Sequence, residues 1–213
     1  MKTLLMLLLL AGLLVATAGD APKRCAICGL PLGPAYYNFN SPTLGGKQAA
    51  CEACAKLKDR CAICKLPVPA ATARKLDDGR LFCERDFRSG VFDAAEARRI
   101  HEEIRREVAG VLAGYGVLPG RSITVALANG TEIRKLQQTL PSEHDGEGTL
   151  GLTRSESNGR KQFQHHIYLL TGLPRGRLAA VCAHEYTHAW LHENLAADRK
   201  LEKDTVEGFC ELI

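Results

Sequence analysis

Aromatic residues make up only 6% of this 213-residue chain, with one tryptophan and two methionines, and no charge of one sign dominates. The formal net charge of +4 is spread along the chain, so there is no basic tract to hold a phosphate backbone, and nucleic acid is not an expected partner. Beyond residue 18 no apolar run reaches the roughly 20 residues that cross a bilayer, so no stable membrane span is expected. No βαβ pattern surrounds the Cys-x-x-Cys pairs, which argues against a redox dithiol. Cysteine itself is abundant, at nine residues.

Residues 1–18 read as a signal peptide. Lys2 supplies the positive start, Leu4 to Val15 the apolar stretch, and Ala16-Thr17-Ala18 a small-residue cleavage site. No cysteine stands at that cleavage point, which argues against a lipid anchor. The expected location is therefore secreted or periplasmic. Taking 18 from 213 leaves 195 residues, enough for a small module over 19–90 and a helical connector with one enzyme domain over 91–213.

Seven cysteines form an ordered series: Cys25-x2-Cys28, Cys51-x2-Cys54, Cys61-x2-Cys64 and Cys83, with Asp86 three residues on. The series contains a repeat, because Cys25-Ala-Ile-Cys-Gly-Leu-Pro-Leu recurs as Cys61-Ala-Ile-Cys-Lys-Leu-Pro-Val. Each copy looks like a zinc knuckle followed some twenty residues later by a second ligand pair. The natural grouping is Cys25, Cys28, Cys51 and Cys54 around one structural zinc, and Cys61, Cys64, Cys83 and Asp86 around another. A disulfide framework is the competing reading in an oxidising compartment, but an odd count of seven fits it poorly.

The middle of the chain reads as a long amphipathic helix over 92–115. Ile100, Ile104, Val108, Val111, Leu112 and Tyr115 lie along its apolar stripe, Asp93 is the N-cap and Gly116 the stop. Its other face, with His101, is charged and solvated. Strands are expected over 122–128, 149–154 and 162–171, with Asn129-Gly130 and Asn158-Gly159 as turns, a short helix over 131–140, and a loop over 141–148.

The sharpest signal is His184-Glu185-Tyr186-Thr187-His188, followed after eighteen residues by Glu207. Residues at i and i+4 project from one helix face, so both histidines can reach one metal. A carboxylate from a second helix, capped by Asp204-Thr205, would complete three protein ligands and leave a fourth position open. Glu185 is then placed to act as a general base on a water. This predicts a gluzincin-like zinc peptidase domain of α+β class, with His184, His188 and Glu207 on a catalytic zinc. The strand of Phe163 to Leu170 would lie along the cleft and bind extended substrate. Tyr168 on it is a candidate transition-state or substrate contact, while His165 and His166 read as ordinary strand side chains and His192 as no closer than a supporting contact. Cys182 and Cys210 flank the metal-bearing segments either as a disulfide or as free thiols.

Two resemblances follow from these residues. The Cys25–Asp86 series resembles a LIM domain, a double zinc module, with Cys51 where a histidine is usual and six residues, Ala55 to Arg60, where two usually separate the halves. That spacer predicts two loosely stacked lobes with little core of their own. Tyr168-Leu-Leu-Thr-Gly-Leu-Pro-Arg, the zinc motif with Ala-Trp-Leu, and Val206-Glu207-Gly-Phe-Cys210 resemble the DA-one family of LIM-domain peptidases. The resemblance implies a minigluzincin-like domain that binds a peptide or protein substrate, and a LIM-like module that supports structure or a protein partner. The plant members are intracellular and regulated by ubiquitin, which a chain with a signal peptide does not inherit. Glu207 lies six residues from the last residue, so either a minimal fold or a C-terminally truncated chain is expected. The alternative function is a secreted zinc-binding interaction protein whose peptidase domain is inactive or latent.

Overall fold

The computed structural model describes residues 24–119, 123–139, 148–157, 163–195 and 201–213. The leader, nearly all of the 141–148 loop and the Asn158-Gly159 turn lie outside them. The fold is mixed α/β. In the N-terminal part, strands β1 (Tyr37–Asn40) and β2 (Lys47–Ala50) form a hairpin followed by helix α1 (Glu52–Ala55). Strands β3 (Arg74–Lys75) and β4 (Leu81–Phe82) form a second hairpin, followed by α2 (Glu84–Ser89). Next come α3 (Ala94–Leu112), β5 (Ile123–Ala128), α4 (Gly130–Thr139), β6 (Gly151–Ser157), β7 (Phe163–Leu170), α5 (Arg175–Asn194) and α6 (Lys203–Leu212).

The sequence repeat is a structural repeat. Each knuckle closes with the first cysteine N–H on the carbonyl five residues on, Cys25 to Leu30 at 2.8 Å and Cys61 to Leu66 at 2.9 Å. The next residue donates across to a hairpin, Ala26 to Ala49 and Ala62 to Leu81. The residue after the second cysteine takes a left-handed conformation in both, Gly29 at φ 73° and Lys65 at φ 62°. Glycine adopts that φ without steric cost, whereas Lys65 is the one non-glycine residue with positive φ among the described residues.

The two lobes are not equivalent in packing. The first has a small cluster of its own, Cys25, Ala50 and Cys54 with Phe39 and Leu57 at its edge. The second is built into the main core: Ile63, Leu66, Val68 and Phe82 are buried in one cluster with Ile100, Ile167, Leu173 and Leu178. The module thus has little core of its own, as expected, but its second lobe shares the core of the rest of the chain. Polar ties reinforce the junction. Asp78 accepts the Gly130 N–H at 2.7 Å, and Arg80 donates to the Thr171 carbonyl at 3.0 Å. The Asp78 carboxyl is held below its ordinary range: burial pushes it up, but the N–H groups of Gly130 and Arg80 and the Arg80 guanidinium outweigh that.

The three-stranded sheet has the order β5–β7–β6, with β7 parallel to β5 and antiparallel to β6. The strand read as lining the cleft is therefore the central one, with both edges occupied. In β6, by contrast, only one edge is paired among the described residues. Asn129-Gly130 is not a turn but a helix start. Asn129 Oδ1 accepts the N–H groups of Thr131 and Glu132, and Glu132 reaches back to the Asn129 N–H, a reciprocal capping box opening α4.

Helix α3 begins where expected, since Asp93 accepts the Glu96 N–H at 2.7 Å. It ends at Leu112, so Tyr115 lies beyond it; Tyr115 and Val111 are exposed. His101 is a second correction: it is buried and meets the Tyr186 ring edge-on at 6.3 Å. The helix wraps close enough to α5 that the buried stripe is wider than the apolar residues alone mark.

Burial lowers the His101 pKa from 6.5 to about 4. The fold thus favours the neutral ring, and the unfolded chain takes up the proton first as the pH falls. Stability should drop between about pH 6.5 and pH 4, by at most about 3 kcal/mol, and no further below that. Denaturant unfolding of wild type and His101→Gln at pH 7 and pH 4.5 checks this: the loss on acidification should be smaller in the variant. No helix of the described residues is long and apolar enough to cross a membrane.

Candidate metal centres

Three clusters of metal-ligating side chains are present. Cys25, Cys28, Cys51 and Cys54 converge in the first lobe, and Cys61, Cys64, Cys83 and Asp86 in the second, the groupings read from the spacing. The distances test whether a zinc fits. Metal–sulfur bonds of about 2.3 Å place tetrahedral vertices about 3.8 Å apart. Cys28 and Cys51 sulfurs are 3.8 Å apart, and those of Cys64 and Cys83 are 4.0 Å apart. Asp86 Oδ2 sits 3.0 Å from Cys61 Sγ.

The backbone favours a thiolate at the first cysteine of each repeat, while burial with the neighbouring sulfurs pushes Cys54 up and the Cys61 sulfur with burial pushes Cys64 up. Ile27 and Cys51 N–H groups donate to the Cys25 sulfur, and the Cys83 N–H to that of Cys61, all at 3.4 Å. Burial, the largest influence on Cys25, pushes its thiol up, but backbone N–H groups of Cys28, Cys51 and Ile27 outweigh it and bring the pKa to about 6. For Cys61 the hydrogen bond from Cys64 dominates, the Cys83 N–H adds to it against burial, and the result is again about 6. Both tetrads could hold zinc.

The third cluster sits where α5 crosses α6. Helix α5 is buried on almost every side from Val181 to Leu191, which is how a charged motif comes to lie inside the molecule. His184 and His188 stand one turn apart with their Nε2 atoms at 3.1 Å. Glu207 reaches both, Oε2 lying 3.3 Å from His184 Nε2 and Oε1 3.7 Å from His188 Nε2. Zinc–nitrogen bonds of about 2.0–2.1 Å give vertices about 3.3 Å apart, so these separations fit one ion. Helix α6 starts at Lys203 with Glu202 as N-cap; Asp204 and Thr205 lie inside it, and neither caps it.

Two further residues of α6 stand near the histidine pair. Glu211, an exposed side chain, places Oε1 3.7 Å from His184 Nδ1, just beyond hydrogen-bond distance. Its i+4 spacing from Glu207 is the signal that could have found it. Cys210 is buried, and its sulfur lies within 4.8 Å of the ligating nitrogens of both histidines. The thiol thus joins the histidine pair within 4.8 Å, while closer approaches to the imidazoles are made by Glu207. Glu207 is the stronger ligand candidate, because its oxygens already stand at vertex separation. Cys182 and Cys210 are free thiols in different apolar clusters and form no disulfide.

Glu185 is buried against β6. The Thr153 hydroxyl sits 2.8 Å from its Oε2 and 2.9 Å from its backbone carbonyl. Burial raises the Glu185 pKa from 4.5 to about 8, the Thr153 hydrogen bond opposing this. Gly151 lets the strand come this close. A Cβ there would lie 2.5 Å from Val181 Cγ1 and 2.7 Å from Glu185 Oε1. Gly151→Ala should therefore displace Glu185. A loss of about 1–3 kcal/mol from overpacking is expected, measured by denaturant unfolding, with metal content unchanged.

Tyr168 is not brought to the histidine pair. It lies opposite Leu152, one residue out of step with the Thr153–Ile167 pair. Successive side chains on a strand point to opposite faces, and Thr153 faces α5, so Tyr168 is on the far face. His165 is on the near one, fully buried between Ser155 Oγ at 2.7 Å and Glu193 Oε1 at 3.0 Å. His166 meets Thr124 on the far face, and His192 is exposed.

No curated protein and no solved structure matches the chain. Residues 124–213, from the sheet through α5 and α6, match the model of the DA1-like family, described as Protein DA1, a match over less than half of the chain.

Proposed function

We propose that the chain is a zinc-dependent peptidase of gluzincin type, with one catalytic and two structural zincs. The observation that carries this is the convergence of His184, His188 and Glu207 within 3.1–3.7 Å beside a buried carboxylate, Glu185. A zinc ion there would acidify a water and polarise a carbonyl. Glu185 takes the proton of the attacking water and delivers it to the leaving amine. Burial raises this carboxyl, and a cation bound nearby would lower it again.

Thr153 would hold Glu185 in place through its Oε2, with Oε1 against Gly151. An extended substrate would add to the edge of β6 that no strand pairs among the described residues, and not to β7, whose edges are both occupied. The cysteine lobes serve structure or partner recognition, since zinc with four protein ligands has no open position. Export to an extracellular or periplasmic space belongs to the same reading.

The test is zinc per chain by elemental analysis. Three zincs in wild type falling to two in His188→Ala is the expected result. Two zincs in both would leave only the cysteine lobes and favour a zinc-binding interaction protein.

A further inference from the structure

We propose that the Cys210 thiol is a fourth protein ligand at the His184–His188–Glu207 centre, so that the resting site is closed and the sulfur must leave before a peptide can enter. This rests on the peptidase reading and adds latency to it. Cys210 follows Glu207 by three residues on α6, a spacing that puts both side chains on one face. Its exposure is 2%, and its sulfur and the ligating nitrogens of both histidines lie within 4.8 Å of one another.

A buried cysteine is usually a small apolar side chain, and Cys210 does pack beside Val108, Leu112, Tyr186 and Trp190. Cys182 shows what that role alone looks like. It is on the same helix as the histidines and fully buried, yet it packs in the other cluster and joins no group of ligands. Cys210 instead turns its sulfur to the imidazole pair. Thiolate is a strong zinc ligand, and four protein ligands mark a closed centre while three mark an open one. Opening needs no oxidant: Cys210 would leave with its sulfur protonated, the proton coming from the water that replaces it.

The experiment is cadmium-113 NMR of the full chain with its metals exchanged for cadmium, on wild type and on Cys210→Ala and Cys210→Ser, with peptide hydrolysis by the zinc forms measured alongside. Two resonances from the cysteine-rich lobes should stay in place in every variant, which shows that the chains are folded. The third should move far upfield in Cys210→Ala, because sulfur ligands deshield cadmium, and hydrolysis should rise severalfold. Cys210→Ser should move the same resonance in the same direction. A third resonance that does not move would overturn the thiol ligand while leaving the peptidase reading intact. A resonance that moves without any gain in hydrolysis would overturn latency. Absence of a third resonance in wild type would overturn this proposal and the peptidase reading together.

Discussion

Glu185→Gln is expected to lower peptide hydrolysis by about a thousandfold or more while the chain keeps its third zinc. General acid–base catalysis typically contributes 10²–10⁴-fold, and glutamine preserves shape but cannot accept a proton. The swap is nearly isosteric, and Thr153 can still donate to the side-chain oxygen, so the packing against Gly151 and Val181 should survive. Elemental analysis and hydrolysis rates on the same preparation separate the two roles. His188→Ala should lose metal and activity together, because its Nε2 is one of the converging ligand atoms. Full activity in Glu185→Gln would mean that another group takes the proton.

The second large effect concerns the lobes. Cys61→Ser should destabilise the whole chain, whereas Cys28→Ser should act locally. Binding of a structural zinc is worth about 10–16 kcal/mol in isolated modules, comparable with the about 5–15 kcal/mol that holds an entire domain together. Where that energy is felt depends on what the lobe packs against. The second lobe contributes Phe82, fully buried, with ring centroids 6.5 Å from Phe87 and 6.1 Å from Phe92. Gly172, at φ 81°, brings the chain against this cluster: a Cβ there would lie 2.9 Å from Phe82 Cζ. Two residues later Pro174 stands at the N-cap of α5, so the support for the histidine-bearing helix begins in a cysteine-rich lobe.

Trp190 is the reporter for this contrast. It is the only tryptophan, it sits on α5, and it stacks on Phe209 of α6 at 5.9 Å. Its fluorescence should show early unfolding in Cys61→Ser and a transition within about 1 kcal/mol of wild type in Cys28→Ser. Equal effects from the two variants would mean that the lobes form one cooperative unit after all.

Local chemistry carries over from sequence to structure in definable places. The spacing of Asp93 and Glu96 and the apolar period that follows set α3, because capping and periodicity act within a few residues. The capping box of Asn129 and Glu132 was equally legible, yet Asn-Gly reads first as a turn, and the helix start was lost behind it. Asp204-Thr205 erred the other way, offering capping residues one to two positions inside a helix that starts at Lys203. His101 was misplaced because a polar side chain on a charged stretch looks solvated until a second helix covers it.

By itself the sequence determined the ligand chemistry. The Cys-x-x-Cys repeat and the His184–His188 spacing put their donors on one side of a knuckle or one face of a helix through backbone geometry that spans only a few residues. Everything that depends on which segments become neighbours was decided by tertiary structure. The order β5–β7–β6 makes β6 an edge strand among the described residues, and strand register turns Thr153 and His165 toward α5 and Tyr168 away from it. Packing of β6 on α5 requires a glycine at 151, and the crossing of α6 brings Glu211 and Cys210 to the histidines. The physical reason is that strand pairing and helix crossing are set by summed burial across the whole core, which no short stretch of residues encodes alone.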